Sequence, residues 1–140
     1  MIILRIIGIS FIVIIFIIGC SSGDWDNPTG NTSDPRIISV IPPRSADGVS
    51  LGSEIVAFFS EDMDSSTINN GSFYLTPSAA GTVSYNATQK AAVFTPVGLS
   101  SDTNYIATVT TGVKDTSGRA MLTGYSWSFS TKSQSTTHVP

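Results

Sequence analysis

Three carboxylates stand within four residues in one segment of the sequence, at Glu61, Asp62 and Asp64. Ca²⁺ binds clusters of carboxylate oxygens, so these residues are the candidate metal ligands of the chain. Their spacing is not that of an EF-hand loop, and a structural interpretation explains each position. Asp64 would cap a short helical turn over residues 65–69, Met63 would turn into the core, and Glu61 and Asp62 would face solvent. We therefore predict neither a bound metal nor a cofactor.

The histidine content does not support hydrolytic chemistry. The single histidine, His138, lies near the end of the sequence, so neither a Ser-His-acid triad nor a metal site of several imidazoles can be assembled. The sequence also lacks a Gly-rich phosphate loop and a zinc-ligand helix motif. The protein is therefore predicted not to be an enzyme.

The single cysteine, Cys20, is the remaining candidate for chemistry, because a thiolate is a nucleophile. It follows an apolar segment in which Arg5 supplies one positive charge and residues 6–18 form a run of thirteen mostly apolar residues. This length lies within the roughly 7–15 residues of a secretory signal and below the about 20 that span a bilayer. Residues 1–19 are therefore predicted to be a signal peptide that is removed.

The four residues Ile-Ile-Gly-Cys at positions 17–20 resemble the lipobox of bacterial lipoproteins. The resemblance implies cleavage between Gly19 and Cys20 and attachment of acyl chains to the Cys20 sulfur. Two or more acyl chains hold a protein stably at a membrane, so the membrane is the predicted partner of Cys20. Ser21 implies the outer membrane or cell surface in a bacterium with two membranes. The alternative is an unmodified thiol at the end of an ordinary signal.

The sequence after Cys20 divides into a tether, one domain and a tail. Residues 20–35 are polar and rich in Gly and Pro, which predicts a flexible tether, and residues 132–140 read as a disordered tail. The part between them, residues 36–131, has the size of one domain. Six of the seven basic residues and all ten acidic residues lie after Cys20, so the processed protein is acidic and no nucleic-acid partner is expected.

The domain carries short apolar or alternating runs separated by turn residues, which is typical of β-strands. In the last run, Tyr125, Trp127 and Phe129 alternate with serines, which predicts one buried and one solvated face. Seven such runs predict an all-β, immunoglobulin-like antiparallel β-sandwich of about seven strands. The predicted strands are residues 36–41, 54–60, 72–76, 81–85, 90–95, 104–110 and 125–131.

Five side chains are predicted to have structural roles. Trp127, Phe129, Phe59 and Met63 should lie in the core, where burial of a large apolar side chain contributes roughly 1.5–3 kcal/mol. Tyr105 begins a strand directly after a turn, at the place of the tyrosine corner in Ig-like folds, where the hydroxyl bonds to upstream backbone. The alternative for Tyr105 is an ordinary half-buried strand residue.

Three parts of the sequence resemble the bacterial Ig-like domain found in the S-layer protein SbsA. They are Ile-Ser-Val-Ile-Pro-Pro at 38–43 with Asp-Gly-Val at 47–49, the segment 55–64 with 66–68, and the end formed by 105–109, 113–115, Gly118 and Trp-Ser-Phe at 127–129. The resemblance implies an Ig-like sandwich used in secreted or surface proteins as a spacer or repeat. It implies no enzyme.

The sequence therefore predicts a non-catalytic, lipid-anchored cell-envelope protein whose Ig-like domain is a structural, spacer or adhesion module. Its partner beyond the membrane would be an envelope protein or a glycan, and no oligomeric state is predicted. The alternative is a carbohydrate- or solute-binding surface lipoprotein. That alternative requires an exposed aromatic platform, for which Tyr74, Tyr85 and Phe58 are the candidates.

Overall fold

The computed structural model describes residues 34–134. The predicted signal peptide 1–19, the Gly19–Cys20 cleavage and lipidation site and most of the predicted tether lie outside the described residues, as do residues 135–140. The described chain folds into eight strands and one short 3₁₀ turn, Ser65–Thr67. The strands are β1 Ile37–Ile41, β2 Ala46–Val49, β3 Ile55–Phe59, β4 Phe73–Thr76, β5 Gly81–Asn86, β6 Ala91–Pro96, β7 Asn104–Val109 and β8 Tyr125–Thr131.

The strands form two four-stranded sheets, which confirms the predicted all-β, Ig-like sandwich. The first sheet has the order β1-β3-β6-β5 and the second has the order β2-β8-β7-β4. Since side chains alternate between the two faces of a strand, each sheet presents one apolar face to the other sheet and one face to solvent.

The seven-strand prediction omitted β2, whose four residues, Ala-Asp-Gly-Val, lack an apolar alternation. This strand pairs with β8 in parallel, with Ala46 opposite Phe129 and Val49 opposite Thr131. The prediction of a purely antiparallel sandwich therefore needs one correction, because β2 and β8 are parallel. After β1 the chain crosses from the first sheet to the second, and β2 adds to its edge.

Aromatic side chains from both sheets fill the core. Phe73 lies 6.1 Å from Phe94 and 6.0 Å from Trp127 between ring centroids, within the range of favourable aromatic pairs. The predicted core residues Phe59, Met63, Trp127 and Phe129 are all at most 3% exposed. The largest fully buried side chains are Phe59, Phe73, Phe94, Phe129, Ile55, Val109 and Val113.

The folded domain includes residues on both sides of the predicted limits. Pro35 is buried, although it was assigned to the tether. At the other end, Lys132 N donates to Val49 O at 3.0 Å and Ser133 Oγ donates to Asp102 Oδ1 at 3.4 Å, so the first tail residues contact the domain. Within residues 34–134 there is no helix of the length and hydrophobicity needed to cross a bilayer.

Candidate interaction surfaces

The acidic segment forms a turn that Asp64 caps. Asp64 Oδ1 accepts hydrogen bonds from Ser66 Oγ at 2.7 Å and Ser66 N at 2.9 Å, and these two bonds lower the pKa of Asp64. Asp62 Oδ2 lies 3.4 Å from Lys90 Nζ, and Glu61 is half-buried. Among residues 34–134, no three Asp, Glu, His or Cys side chains come together in a group that could hold a metal ion.

A second acidic side chain, Asp115, is 3% exposed and is held by hydrogen bonds on both oxygens. Oδ1 accepts from Ser117 N at 2.9 Å and Arg119 N at 2.8 Å, and Oδ2 accepts from Arg119 Nε at 2.8 Å. Burial alone would raise the pKa of Asp115, but the bonds from Arg119 and Ser117 outweigh it and hold the pKa below its usual value. The carboxylate therefore stabilises the turn that follows it.

The two acidic regions are joined by backbone hydrogen bonds at one end of the sandwich. Asp64 N donates to Lys114 O at 2.8 Å, and Thr116 N donates to Asp62 O at 3.0 Å. Met63 lies opposite Asp115 in an isolated antiparallel bridge. The chemically suggestive residues of the sequence thus hold two loops together.

Tyr105 lies at the start of β7 with its ring in the core and its hydroxyl on the preceding turn. The hydroxyl accepts a hydrogen bond from Ser100 N at 3.0 Å, five residues upstream. The ring stacks on Phe129 with centroids 5.6 Å apart and an interplanar angle of 23°. This arrangement is that of a tyrosine corner.

The solvent face of the second sheet is rich in hydroxyl groups, and we call it the hydroxyl face. Thr108 Oγ1 and Ser126 Oγ lie 3.0 Å apart on neighbouring strands, and Ser130 Oγ donates to Asp47 Oδ1. A shallow groove of about 350 Å³ lies beside Asp47 and Ser130. The groove is lined by Ser45, Ala46, Asp47, Asn104, Ser128, Phe129 and Ser130. Such a surface offers donors and acceptors to a polar partner.

The three aromatic candidates do not form one platform. Tyr74 is 39% exposed at the edge of the hydroxyl face, whereas Phe58 is half-buried on the first sheet. The expectation that Tyr85 points outward is wrong. Its hydroxyl accepts from Met63 N at 2.8 Å, and its ring centroid lies 6.5 Å from that of Phe59, because odd-numbered residues of β5 face the core.

An apolar cleft of about 300 Å³ lies where the described chain begins, between residues 34–37 and 121–125. Leu122 at its rim is 77% exposed. The Arg44 guanidinium lies 4.7 Å from the centre of the Tyr125 ring, and Arg44 Nε donates to the Tyr125 hydroxyl at 3.1 Å. Tyr125, which lines the cleft, is thus held by a cation–π contact and a hydrogen bond from the same side chain.

Comparisons with known proteins agree with the fold. Residues 31–131 match the family model described as a bacterial Ig-like domain, which confirms the resemblance found in the sequence. None of the curated protein sequences compared with the chain matches it.

Solved structures of several proteins are similar to this chain, and three of them illustrate the range. The N-terminal part of the bacterial S-layer protein SbsC is 19% identical with a TM-score of 0.54, and the match covers 71% of this chain and 24% of that one. The chain thus spans about a quarter of that S-layer structure. PcoC, a methionine-rich copper resistance protein from Escherichia coli, is 17% identical with a TM-score of 0.57, covering 71% and 100% of the two chains. CopC from Methylosinus trichosporium OB3b is 8% identical with a TM-score of 0.58, covering 71% and 95%. At these identities the likeness shows the fold alone.

Proposed function

This chain belongs to the bacterial Ig-like domain family, and from that premise we propose that it is a non-catalytic, lipid-anchored protein of the cell envelope. Its domain is a surface module that serves as a spacer or contacts an envelope partner. Cys20 is the anchoring residue, and the membrane is the partner that the acyl chains contact.

The observation that carries the proposal is the use made of the domain's acidic side chains. Asp64 and Asp115 accept hydrogen bonds from backbone N–H groups of the turns that they begin, and Asp62 pairs with Lys90. These carboxylates are of a type that could perform acid-base chemistry or bind a cation. In this domain they hold the loops of the sandwich in place. This use of the carboxylates supports a structural role for the domain, and the hydroxyl face offers it a polar contact surface.

The anchor is tested by the intact mass of the full chain extracted from bacterial membranes. We expect a protein that starts at Cys20 and carries the added mass of two or three acyl chains. A Cys20→Ala variant should lose this mass, while the matched Ser21→Ala control should keep it. Residues 1–19 retained in all three proteins, or cleavage without added mass in the native chain, would contradict the lipid anchor.

A second candidate function, glycan binding, is favoured by one observation on the hydroxyl face. The groove brings the Asp47 carboxylate together with the side chains of Asn104 and Ser130, a combination that suits sugar hydroxyls, and Tyr74 lies on the same sheet. Binding of the full chain to a glycan array tests it. The signal should fall in Asp47→Ala and stay unchanged in the control Thr82→Ala on the first sheet, and an empty array rejects this function.

A further inference from the structure

The two sheets leave four strands at their edges, and one of these differs from the other three. Natural sandwiches protect edge strands with bulges, short lengths, prolines or charges, because a free edge can pair with another strand. A bulge interrupts β1 between Ile37 and Ser39, and β2 and β4 have four residues each. Strand β5 has six residues, Gly-Thr-Val-Ser-Tyr-Asn, with an unbroken register against β6 and neither charge nor proline.

Two hydrogen bonds show which backbone groups of β5 point to the free edge. Val97 N donates to Ala80 O at 2.9 Å, so Ala80 and the even-numbered residues after it direct their N–H and C=O groups to β6. Phe59 N donates to Lys90 O at 2.8 Å, which fixes the same alternation on the opposite side of β6. The odd-numbered residues of β5 therefore direct their backbone groups away from the sheet.

The free edge consists of the backbone groups of Gly81, Val83 and Tyr85. Gly81 O accepts a hydrogen bond from Asn70 Nδ2 at 3.0 Å, but a carbonyl oxygen has two lone pairs and can accept a second bond. Val83 and Tyr85 are only half-buried although their side chains face the core, as expected beside an open edge. Thr82 and Ser84 are exposed on the solvent side of the sheet.

We propose that the β5 edge is a docking site for β5 of a second copy of this chain, paired antiparallel about a two-fold axis at Val83. The free groups are self-complementary in this register, because Val83 meets Val83 of the second copy and Gly81 meets Tyr85. On the solvent side Thr82 stands opposite Ser84. The two first sheets then form one continuous eight-stranded sheet.

The absence of charge along β5 suits a second copy as the occupant, because identical strands meet in the pair. The chain carries a net charge of −3, so two copies repel wherever acidic surfaces meet. Strand β5 carries no charge, and Ala80, which precedes the strand and comes opposite Asn86 of the second copy, is also neutral. Two copies therefore meet along β5 without placing like charges face to face.

The pair should be weak in free solution. Contact along one six-residue strand is smaller than a standard protein interface, which buries roughly 1,200–2,000 Å². If both copies are anchored on one membrane, the effective concentration that one copy experiences of the other rises to roughly the millimolar range, as it does for short tethers. This last step rests on the proposed lipid anchor, whereas the pairing itself does not.

Sedimentation equilibrium of the full chain in detergent tests the pairing up to a concentration of roughly 1 mM. The native chain should show a concentration-dependent dimer. In Thr82→Lys/Ser84→Lys each lysine faces a lysine of the second copy, so the dissociation constant should rise at least about tenfold, the equivalent of roughly 1.4 kcal/mol. In Thr82→Lys/Ser84→Glu each lysine faces a glutamate, so the dimer should persist.

The control Thr76→Lys/Thr111→Lys adds two lysines at exposed positions outside β5 and should dimerise like the native chain. Urea midpoints verify that every variant is folded. A native chain that stays monomeric over the whole range overturns the proposal. So does a dimer that the double-lysine variant on β5 leaves unchanged, because the contact then lies elsewhere.

Disulfide trapping tests the register separately. Residues 82 and 84 of the two copies form a non-hydrogen-bonded pair, whose Cα atoms are close enough to bridge, about 4.5 Å apart. Thr82→Cys/Ser84→Cys should therefore give cross-linked dimer under mild oxidation. In Thr82→Cys or Ser84→Cys alone, the thiols of the two copies are two residues out of register. Each single variant should therefore give no more cross-linked dimer than the native chain. Equal cross-linking in the single and double variants would overturn the two-fold register at Val83.

Discussion

The four tyrosines allow a test of the structure in which each change removes a single oxygen atom. The hydroxyls of Tyr105 and Tyr85 accept hydrogen bonds from the backbone N–H groups of Ser100 and Met63, at 3.0 and 2.8 Å. Tyr74 is 39% exposed, and the structure gives its hydroxyl no partner within residues 34–134. Replacement by phenylalanine should therefore destabilise the domain at the first two positions and leave it unchanged at Tyr74.

The magnitude for Tyr105→Phe follows from what remains after the change. The ring still stacks on Phe129, so the loss is one hydrogen bond, and the donor at Ser100 lies on an exposed residue that water can partly reach. A net hydrogen bond contributes about 0.5–1.5 kcal/mol, and an unsatisfied buried donor costs about 1–3 kcal/mol. We expect the free energy of unfolding to fall by about 1.5 kcal/mol, between these two limits.

Urea unfolding followed by circular dichroism measures the effect. With a urea dependence of about 1–3 kcal/mol/M for small domains, the midpoint of Tyr105→Phe should fall by roughly 0.5–1.5 M. Tyr74→Phe is the matched control and should keep the native midpoint. If Tyr105→Phe and Tyr74→Phe unfold at the same urea concentration, the tyrosine corner does not stabilise this domain and the interpretation is refuted.

Three further outcomes are expected for folding. Gly81→Ala should destabilise the domain by roughly 1–3 kcal/mol, because a Cβ there would lie 2.6 Å from Thr95 O and 2.7 Å from the Phe94 ring. Its control is Gly52→Ala, whose Cβ would have no atom within 4 Å and which should keep the native urea midpoint. Equal urea midpoints for the two variants would contradict the close packing at Gly81. Asp115→Ala should lower the free energy of unfolding by about 3 kcal/mol, since it removes the carboxylate that accepts from Ser117 N, Arg119 N and Arg119 Nε. A loss below about 0.5 kcal/mol would mean that these bonds do not stabilise the turn. The pKa of Asp115 is lowered in the folded state, so its stabilising contribution is complete above the unfolded value of about 3.9 and disappears as the pH falls through the folded value. When the urea midpoint is measured from pH 7 down to pH 2.5, it should begin to fall once the pH is below about 4. The fall should be smaller in Asp115→Asn, which has no carboxylate to protonate at this position.

Most of the sandwich could be predicted because the alternation of apolar and polar residues in its strands indicates which face is buried. The alternation of Tyr125, Trp127 and Phe129 with serines reports a strand with one buried face, and β8 has that orientation. Strand β2 gives no such signal, since Ala-Asp-Gly-Val has no apolar alternation and Gly48 adopts a φ of 67°. Its conformation depends on pairing with β8, a contact that forms only in the folded chain.

The candidate sites were harder to predict than the strands. The pattern of β5 places Val83 and Tyr85 on one face, but a period of two does not say which face is buried. The spacing of Glu61, Asp62 and Asp64 suggests a cation site, but the sequence also predicts that Asp64 caps the turn after it, and Asp64 Oδ1 does accept from Ser66 N. The pairing of Asp62 with Lys90 joins residues distant in the chain, and local spacing does not reveal it. The pair of Asp115 and Arg119 lies in a loop, where a separation of four residues carries no helical signal.

The parallel pairing of β2 with β8 has a mechanical consequence. One of these strands lies near the start of the domain and the other at its end, so a force that pulls the two ends of the domain apart acts along both strands in opposite directions. Their links, Ser45 N to Ser128 O at 2.7 Å and Lys132 N to Val49 O at 3.0 Å, are then loaded together in shear instead of being opened one after another. Resistance to stretching therefore depends on this short pair of strands, and it is set by the rate of unfolding under load.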